Sequence, residues 1–524
     1  MALINITATI LLLLVASSEG AKILGVLPPG GKSHFYIGAG YMKALAEAVI
    51  SHSHDVTVIS SFPLKNPPSN YHDIELTVEE GEEEYDENML DNRSSSWFTA
   101  PFHMLNILYE MLPAGMCGFV LKHPNVVKLL NSDEKFDVVL VQTFITEALY
   151  GFAQHFDAPL ITFATLGSSM WTNSLVGTPA PSSHVSHFLL SYTDEMSFWQ
   201  RFFNTIVTIF DRMYYEWRYL PVQKQLYEAG FPNAKMTFEQ QMQNVSLVFV
   251  NQHFSLGNPR PLPPNMIEAG GIQIQEAKPL PQDLQRYLDE ASDGVIYFCM
   301  GSNIKSTHLP EEKRNIFLKV FAKLKQHVLW KFEDETMLNQ PSNLMIKAWM
   351  PQNDILAHRN VKLFITHGGL LGTTEALYHG KPMVGIPIFG DQPTNIEKAV
   401  RGGYAVLLEY DAITEQSLEQ AIKTVLNDPS YSRNAELVSE RFRDKPMTAK
   451  ETAVFWTEYV IRHRGASHLR SPAMELSLLQ YHLLDVYAVM MAIVMIVVVM
   501  NVYIFKKCFL KVFRSSVNKK KKLV

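Results

Sequence analysis

This 524-residue sequence predicts an α/β chain: two doubly wound parallel-sheet domains facing a cleft, then one C-terminal membrane-spanning helix. Three observations lead there. Short β-branched runs alternate with helix-length segments through the middle of the chain, the pattern of parallel strands covered by helices. The runs are too many for one ordinary open sheet, and a proline-rich stretch divides them. Near the end, an uncharged apolar segment precedes a basic tail.

Composition narrows the class. Hydrophobic residues are 47% and charged residues 19%, which is a globular balance. The three cysteines, Cys117, Cys299 and Cys508, exclude a disulfide-stapled small domain and a multi-cysteine zinc site. A net charge of −6 gives no pull toward nucleic acid. From Lys506 onward, however, the tail holds eight Lys or Arg and no acid.

Taken in order, Ala8–Val15 is an apolar run followed by the small residues Ala16, Ser17, Ser18 and Gly20, so residues 1–20 read as a signal peptide cleaved near Gly20–Ala21. Strands are expected at 22–27, 55–60, 136–141, 159–164 and 247–251, with a helix over 36–53. Gly30-Gly31-Lys32-Ser33 imitates the end of a P-loop, but the glycine such a loop needs is Val26 here, and Pro28 and Pro29 remove backbone donors. The acidic run 79–87 reads as a solvated loop. Residues 198–219 hold nine aromatics in twenty-two positions. They read first as a helix packed on the sheet, with an acceptor pocket or a face resting on a bilayer as the functional readings.

Residues 257–265 contain four prolines in nine positions and read as a stiff linker. That sets an N-terminal domain at 21–256, a linker and second-domain start at 257–290, and a C-terminal domain at 291–465. The second domain's strands are expected at 294–300, 328–332, 344–349, 361–366, 382–388 and 405–408. Residues 486–505 are apolar or aromatic except Asn501, and twenty helical residues span roughly 30 Å, one hydrocarbon core. Lys506, Lys507, Lys511 and Arg514 place the tail, 506–524, in the cytoplasm and the bulk of the chain in a lumen. Lys521 and Lys522 sit where a dilysine signal for return to the endoplasmic reticulum has its lysines; the other reading is solvated lysines meeting anionic lipid. Sequons at Asn92 and Asn244 are expected on the lumenal side.

The most specific text is 349–392, WMPQNDILAHRNVKLFITHGGLLGTTEALYHGKPMVGIPIFGDQ. On Trp349, Pro351, Gln352, His358, Thr366, His367, Gly368, Gly369, Gly372, Glu375, Pro382, Asp391 and Gln392 it resembles the donor signature of the UDP-glycosyltransferase family, in the wording of the membrane-bound animal enzymes and the insect ones in particular. Gly301-Ser302 and Lys32-Ser33-His34 agree.

The residues make chemical sense by themselves. Thr366–Gly372 is a strand ending in glycines before a helix start, where backbone N–H groups and the helix dipole favour a diphosphate. His367 can donate to phosphate, Glu375 can accept both ribose hydroxyls, Trp349 offers a flat face for uracil with Gln352 a turn on, and Asp391 and Gln392 can bind sugar hydroxyls. Ser302 completes the donor set.

The resemblance implies a GT-B fold, an inverting transfer that needs no metal or other cofactor, and His34 as general base. It implies a UDP-sugar donor and a small lipophilic acceptor, in a chain that is membrane-bound and a homo- or hetero-oligomer or neither. Insect-like wording favours glucose over glucuronate, and the aromatics suggest phenols, steroids or plant toxins, a detoxifying role.

Two departures stand out. The family's acid that orients the histidine aligns with Gln142, which cannot stabilise imidazolium by charge, so Glu147 is the candidate substitute beside a purely structural role. Leu371 stands where vertebrate relatives carry asparagine. Gln142 keeps a second function in play, a catalytically impaired member binding UDP-sugar or lipophile.

Overall fold

The computed structural model describes residues 20–48, 54–77, 98–111, 113–257, 259–337 and 340–521. The expected signal peptide, the acidic run at 79–87, the sequon at Asn92 and the end of the dilysine tail lie outside the described residues.

The chain forms two compact units, Met1–Arg470 and Ser471–Val524. In the first unit lie two all-parallel sheets. The first contains β1 (Lys22–Val26), β2 (Asp55–Ser60), β3 (Tyr71–Glu75), β4 (Val138–Gln142), β5 (Leu160–Phe163), β6 (Val245–Val250) and β7 (Met266–Glu268), in the order β3-β2-β1-β4-β5-β6-β7. The second contains β8 (Val295–Cys299), β9 (His327–Lys331), β10 (Leu344–Lys347), β11 (Val361–Thr366), β12 (Met383–Gly385) and β13 (Ala405–Leu407), in the order β10-β9-β8-β11-β12-β13. Strands such as β4, VVLVQ, and β8, VIYFC, are buried at every position, because helices cover both faces.

Each expected run holds a strand. The structure adds β3 and β7. β3, YHDIE, is a mostly polar edge strand without a hydrophobic signal, and β7 is three residues long. β7 also corrects the domain boundary. It lies beyond the prolines yet pairs in parallel with β6, Val248 opposite Met266, so the first sheet runs to Glu268 rather than stopping at 256. The prolines carry the chain across to the next edge position without needing ladder donors of their own.

Six helices of the first unit position the site or flank it: α1 (Lys32–Ala46), α2 (Phe198–Tyr214), α3 (Gln352–Ala357), α4 (Leu370–Tyr378), α5 (Gln392–Arg401) and α6 (Ala449–His463); α7 (Leu484–Lys521) belongs to the second unit. α1 starts four residues before its expected first residue, so His34 stands in its first turn rather than in a loop. α6 gives a second correction. Expected to close the C-terminal domain, it returns to the N-terminal one. Ala449, Ala453 and Val460 are buried in one cluster with Ile23, Leu45 and Val138, and their small side chains allow the close approach.

α2 continues as a π-helical turn, Tyr215–Tyr219. It is not simply a core helix. One face is buried, while Phe198, Trp199, Phe202, Ile206, Ile209, Phe210, Met213 and Trp217 are exposed.

In the second unit, α7 is a single helix of 38 residues, of which Leu484–Arg514 has mean hydropathy 2.7 and no burial within the protein. By length and composition it can cross a membrane.

Candidate active site

Each sheet's strand order reverses once, between β1 and β4 in the first and between β8 and β11 in the second. At such a reversal the connections leave in opposite directions and open a crevice beyond the carboxyl ends of the strands. His34 follows β1 and Gln142 ends β4; Gly301 follows β8 and His367 follows β11. The sequence-nominated residues thus gather at the two crevices. The crevices meet at Gly31, which caps α1. A Cβ there would lie 2.6 Å from Asn303 Nδ2, so the P-loop-like glycine serves a close approach between domains. Leu371, in the first turn of α4, packs against the apolar cluster of the N-terminal domain, which accounts for an apolar residue at that position.

On the C-terminal side, the His367 imidazole is clamped between two glycines. Gly301 has φ +90°, and a Cβ there would collide with the ring. A Cβ on Gly369 would come within 2.6 Å of Nε2. Burial and the nearby Lys331 hold His367 down at about 4, so the ring is neutral, and its Nδ1 is buried without a hydrogen-bond partner among the described residues. Gly369 caps α4 with no side chain closing the helix start, which leaves the first-turn N–H groups free for an anion.

One turn into α4, Glu375 accepts a 2.7 Å hydrogen bond from Gln352 Nε2. Gly372 makes room for that amide, since a Cβ would stand 3.3 Å from it. Burial pushes Glu375 up to about 7 despite that bond. Trp349 follows β10 and is 66% exposed, a free aromatic face. Ser302 is exposed, its hydroxyl 3.2 Å from Asn303 Oδ1. Asp391 accepts from Asn395 Nδ2 at 2.6 Å, and burial raises its carboxyl. Gln392 is less available than its sequence position suggests. Its amide oxygen already accepts the N–H groups of Ile388 at 2.9 Å and Phe389 at 3.1 Å, leaving the Nε2 side for a ligand.

On the N-terminal side, the His34 ring stands edge-on to Phe144, centroids 4.5 Å apart, and its Nδ1 lies 3.3 Å from Thr165 Oγ1. Burial holds its pKa down at about 4. Thr165 is buried just past β5, and its carbonyl accepts from Asn251 Nδ2 at 3.0 Å, which fixes that loop. An aromatic wall continues from Phe144 to Trp171 at 5.5 Å and on to Phe188 at 5.2 Å.

The expectation for Glu147 is corrected. Its carboxylate is buried and takes the hydroxyls of Tyr215, at 2.8 Å, and Tyr219. Burial raises its pKa against the pull of those two bonds. It ties down the π-helical turn rather than orienting His34. The Gln142 amide oxygen is buried without a partner among the described residues. The group that meets His34 is Thr165. Sequence reading missed it because a lone threonine past a strand has no pattern; only its place two strands along from β1 marks it. Asn244 is exposed at the end of a short helix, with Ser246 of its sequon buried in β6.

Comparison with known proteins finds relatives over most of the chain. Residues 39–523 match the family model described as UDP-glucoronosyl and UDP-glucosyl transferase. The chain is 37% identical over 484 residues to UDP-glucosyltransferase 2 of Dactylopius coccus, with 90% of each chain covered. It is 32% identical over 499 residues to UDP-glucuronosyltransferase 2B33 of Macaca mulatta, with 92% of each covered. Among solved structures, a complex of a UDP-glucosyltransferase from Polygonum tinctorium superposes with a TM-score of 0.57 at 16% identity, over 85% of this chain and 99% of that one. That likeness is one of fold, the two-domain GT-B architecture.

Proposed function

Because the chain belongs to the UDP-glucosyl and UDP-glucuronosyl transferase family, we propose that it transfers a hexose, glucose foremost, from a UDP-sugar to a hydroxyl of a small lipophilic acceptor, with inversion. The observation that carries this reading is the pairing of two crevices across Gly31 and Asn303. One holds a histidine against an aromatic wall, and the other an open helix start beside His367, with Glu375 one turn further on. Glucose is preferred on the identity to the insect glucosyltransferase, 37%, against 32% to the macaque glucuronosyltransferase.

In this reading uracil stacks on Trp349 beside Gln352, the ribose diol meets Glu375, and the diphosphate takes the first-turn N–H groups of α4 and His367. Ser302 lies on the same side, and the sugar hydroxyls meet Asp391 and the Gln392 amide. His34 donates Nδ1–H to Thr165 Oγ1 and so presents the Nε2 lone pair to the acceptor. That nitrogen takes the acceptor proton, the oxygen attacks the anomeric carbon, and the bond to phosphate breaks with its electron pair leaving on UDP. A depressed His34 pKa keeps the ring in its accepting form at neutral pH. Thr165 supplies orientation without charge, so the missing acid lowers the stability of the imidazolium rather than abolishing the base. The chemistry is placed on the lumenal side of the endoplasmic reticulum membrane, with α7 as single-pass anchor and Asn92 and Asn244 as glycan acceptors.

The test is transfer by membranes expressing the full chain. UDP-glucose, UDP-glucuronate, UDP-galactose and UDP-N-acetylglucosamine are offered separately with mixed phenols, beside His34→Ala. Glycoside from UDP-glucose, lost in the variant while UDP still binds, supports the reading. Binding of UDP with no transfer from any donor overturns it in favour of a non-catalytic binder.

A further inference from the structure

Between the short helix Met170–Val176 and α2, residues 178–196 run without helix or strand. Pro179 and Pro181 withhold backbone donors a helix would need, so the stretch must find partners for its polar backbone elsewhere. It finds them on two sides. On the first, Asn204 of α2 donates to the carbonyls of Ser182 at 2.8 Å and Val185 at 2.9 Å and accepts the N–H of His187 at 2.8 Å. The His187 ring pairs through Nε2 with Asp211 Oδ2 at 2.9 Å. The other Asp211 oxygen accepts the Tyr109 hydroxyl at 2.6 Å, and that hydroxyl accepts from Trp171 Nε1 at 2.7 Å. One buried carboxylate therefore fixes both this stretch and Trp171 of the aromatic wall.

The second side is α5. Thr394 Oγ1 donates to the carbonyls of Leu190 at 2.9 Å and Phe188 at 3.2 Å. Arg401, two helical turns and roughly 10 Å further along, reaches Asp194 Oδ1 through Nη1 and Glu195 Oε2 through Nη2, each at 2.7 Å. Asp391 caps the same helix and Gln392 begins it. Phe188 stands 5.2 Å from Trp171 in the wall that leads to His34. A cavity of about 180 Å³ lies between the two sides, with Phe188 and Tyr192 on one and Asp391, Thr394 and Lys398 on the other. We propose that residues 182–195 are a strap that couples the two substrates, with Thr394 and Arg401 as its positioning residues. Each substrate, once seated, sets the wall or the helix where the other needs it. The inference rests on the transferase reading above, which puts the sugar at Asp391 and the acceptor at the wall.

The geometry points to positioning rather than adhesion. The Arg401 and Asp194 side chains are each 39% exposed and that of Glu195 82%, and ion pairs so open to water add little stability. What they fix is direction, because two carboxylates on two nitrogens of a planar guanidinium set the end of the helix. Thr394 holds the backbone on either side of Leu189, beside the residue that Asp211 holds from the other domain. A sugar that settles Asp391 settles Thr394 one turn on, and with it the carbonyl of Phe188. An acceptor that settles the Phe188 ring acts along the same contacts in reverse, and such coupling is reciprocal.

The test titrates UDP-glucose calorimetrically into the detergent-solubilised full chain, with and without saturating 1-methoxynaphthalene. The ether has no hydroxyl to glycosylate, so coupling is read without transfer. The ether is expected to tighten UDP-glucose about fivefold or more in the parent, and less than about twofold in Thr394→Val/Arg401→Ala. UDP-glucose affinity without the ether, and Tm, should stay near the parent's in that variant. Thr394→Ser should keep the tightening, and Asp194→Asn, nearly isosteric, should lower it by breaking the same grip from the strap. No tightening in the parent overturns the inference. So does tightening that survives in the double variant, and so does a loss of UDP-glucose affinity by the same factor with and without the ether, which is adhesion alone. Transfer is scored separately. Tightening without transfer from any donor would remove the catalytic reading and leave the strap, whereas transfer without tightening would remove the strap alone.

Discussion

Replacing Thr165 by valine removes the hydroxyl that meets His34 Nδ1 at 3.3 Å while keeping nearly the same volume in a buried site. The backbone carbonyl of residue 165, held by Asn251, is untouched, so the loop keeps its anchor. What changes is the orientation of the imidazole. A neutral hydrogen bond of this kind contributes about 0.5–1.5 kcal/mol net. At about 1.36 kcal/mol per decade that is roughly a 2- to 13-fold loss in kcat/KM. Loss of a charged partner would cost far more, so the size of the effect distinguishes a hydroxyl that positions from an acid that stabilises. The assay is initial rates at saturating donor over a range of acceptor, from pH 3 upward, with Thr165→Ser as the rescue and UDP affinity as the check on folding. The acid limb should stay near pH 4, where burial holds His34, while kcat falls. A Thr165→Val enzyme as fast as the parent would refute the positioning role. A loss as deep as that of His34→Ala, with UDP binding intact, would refute the magnitude.

The same site carries three further expectations. Gln142→Asp restores a carboxylate at the end of β4; if it reaches His34 the imidazolium is stabilised, and the acid limb of kcat/KM should move up from about 4 toward the ordinary histidine value, read from the pH profile. Glu375, raised to about 7 by burial, is largely protonated below that pH, whereas a ribose diol prefers the ionised acceptor. UDP affinity measured calorimetrically should therefore weaken as pH falls through 7, by at most about tenfold per unit, and Glu375→Gln should abolish that slope. Gly301→Ala forces a side chain onto φ +90° and into the His367 ring. It should cost about 1–3 kcal/mol of stability and weaken UDP binding, read by thermal unfolding and titration; an unchanged Tm would contradict the clamp.

Much of the site was legible because its residues are punctuated by glycines. Gly301, Gly368, Gly369 and Gly372 stand where the backbone turns or where a side chain must approach, and such positions leave a local mark in the sequence. His34 was legible as a residue, though not as a helical one, because Gly31 and Lys32 begin α1 earlier than its hydrophobic pattern does. Thr165 and Glu147 were not. Whether a carboxylate five residues past Gln142 faces a histidine or a tyrosine depends on where the chain around Tyr215 and Tyr219 packs, some seventy residues on.

The alternation of strands and helices, the glycine-punctuated turn after β11 and the apolar span could all be read from the chain unaided, because each is written in neighbours within one element or one turn. Four features came from packing instead: that β7 joins the first sheet across the prolines, that α6 crosses back to the N-terminal domain, that Thr165 rather than an acid meets His34, and that most aromatics of α2, though not Phe203, face outward. Each is a contact between segments far apart in the chain. In α2 the buried face mixes Phe203 and Val207 with Asn204 and Asp211, so apolar residues lie on both faces and periodicity does not say which face is inside. Which one is buried was settled by partners elsewhere, Ser182, Val185, His187 and Tyr109, that could satisfy Asn204 and Asp211 in the interior.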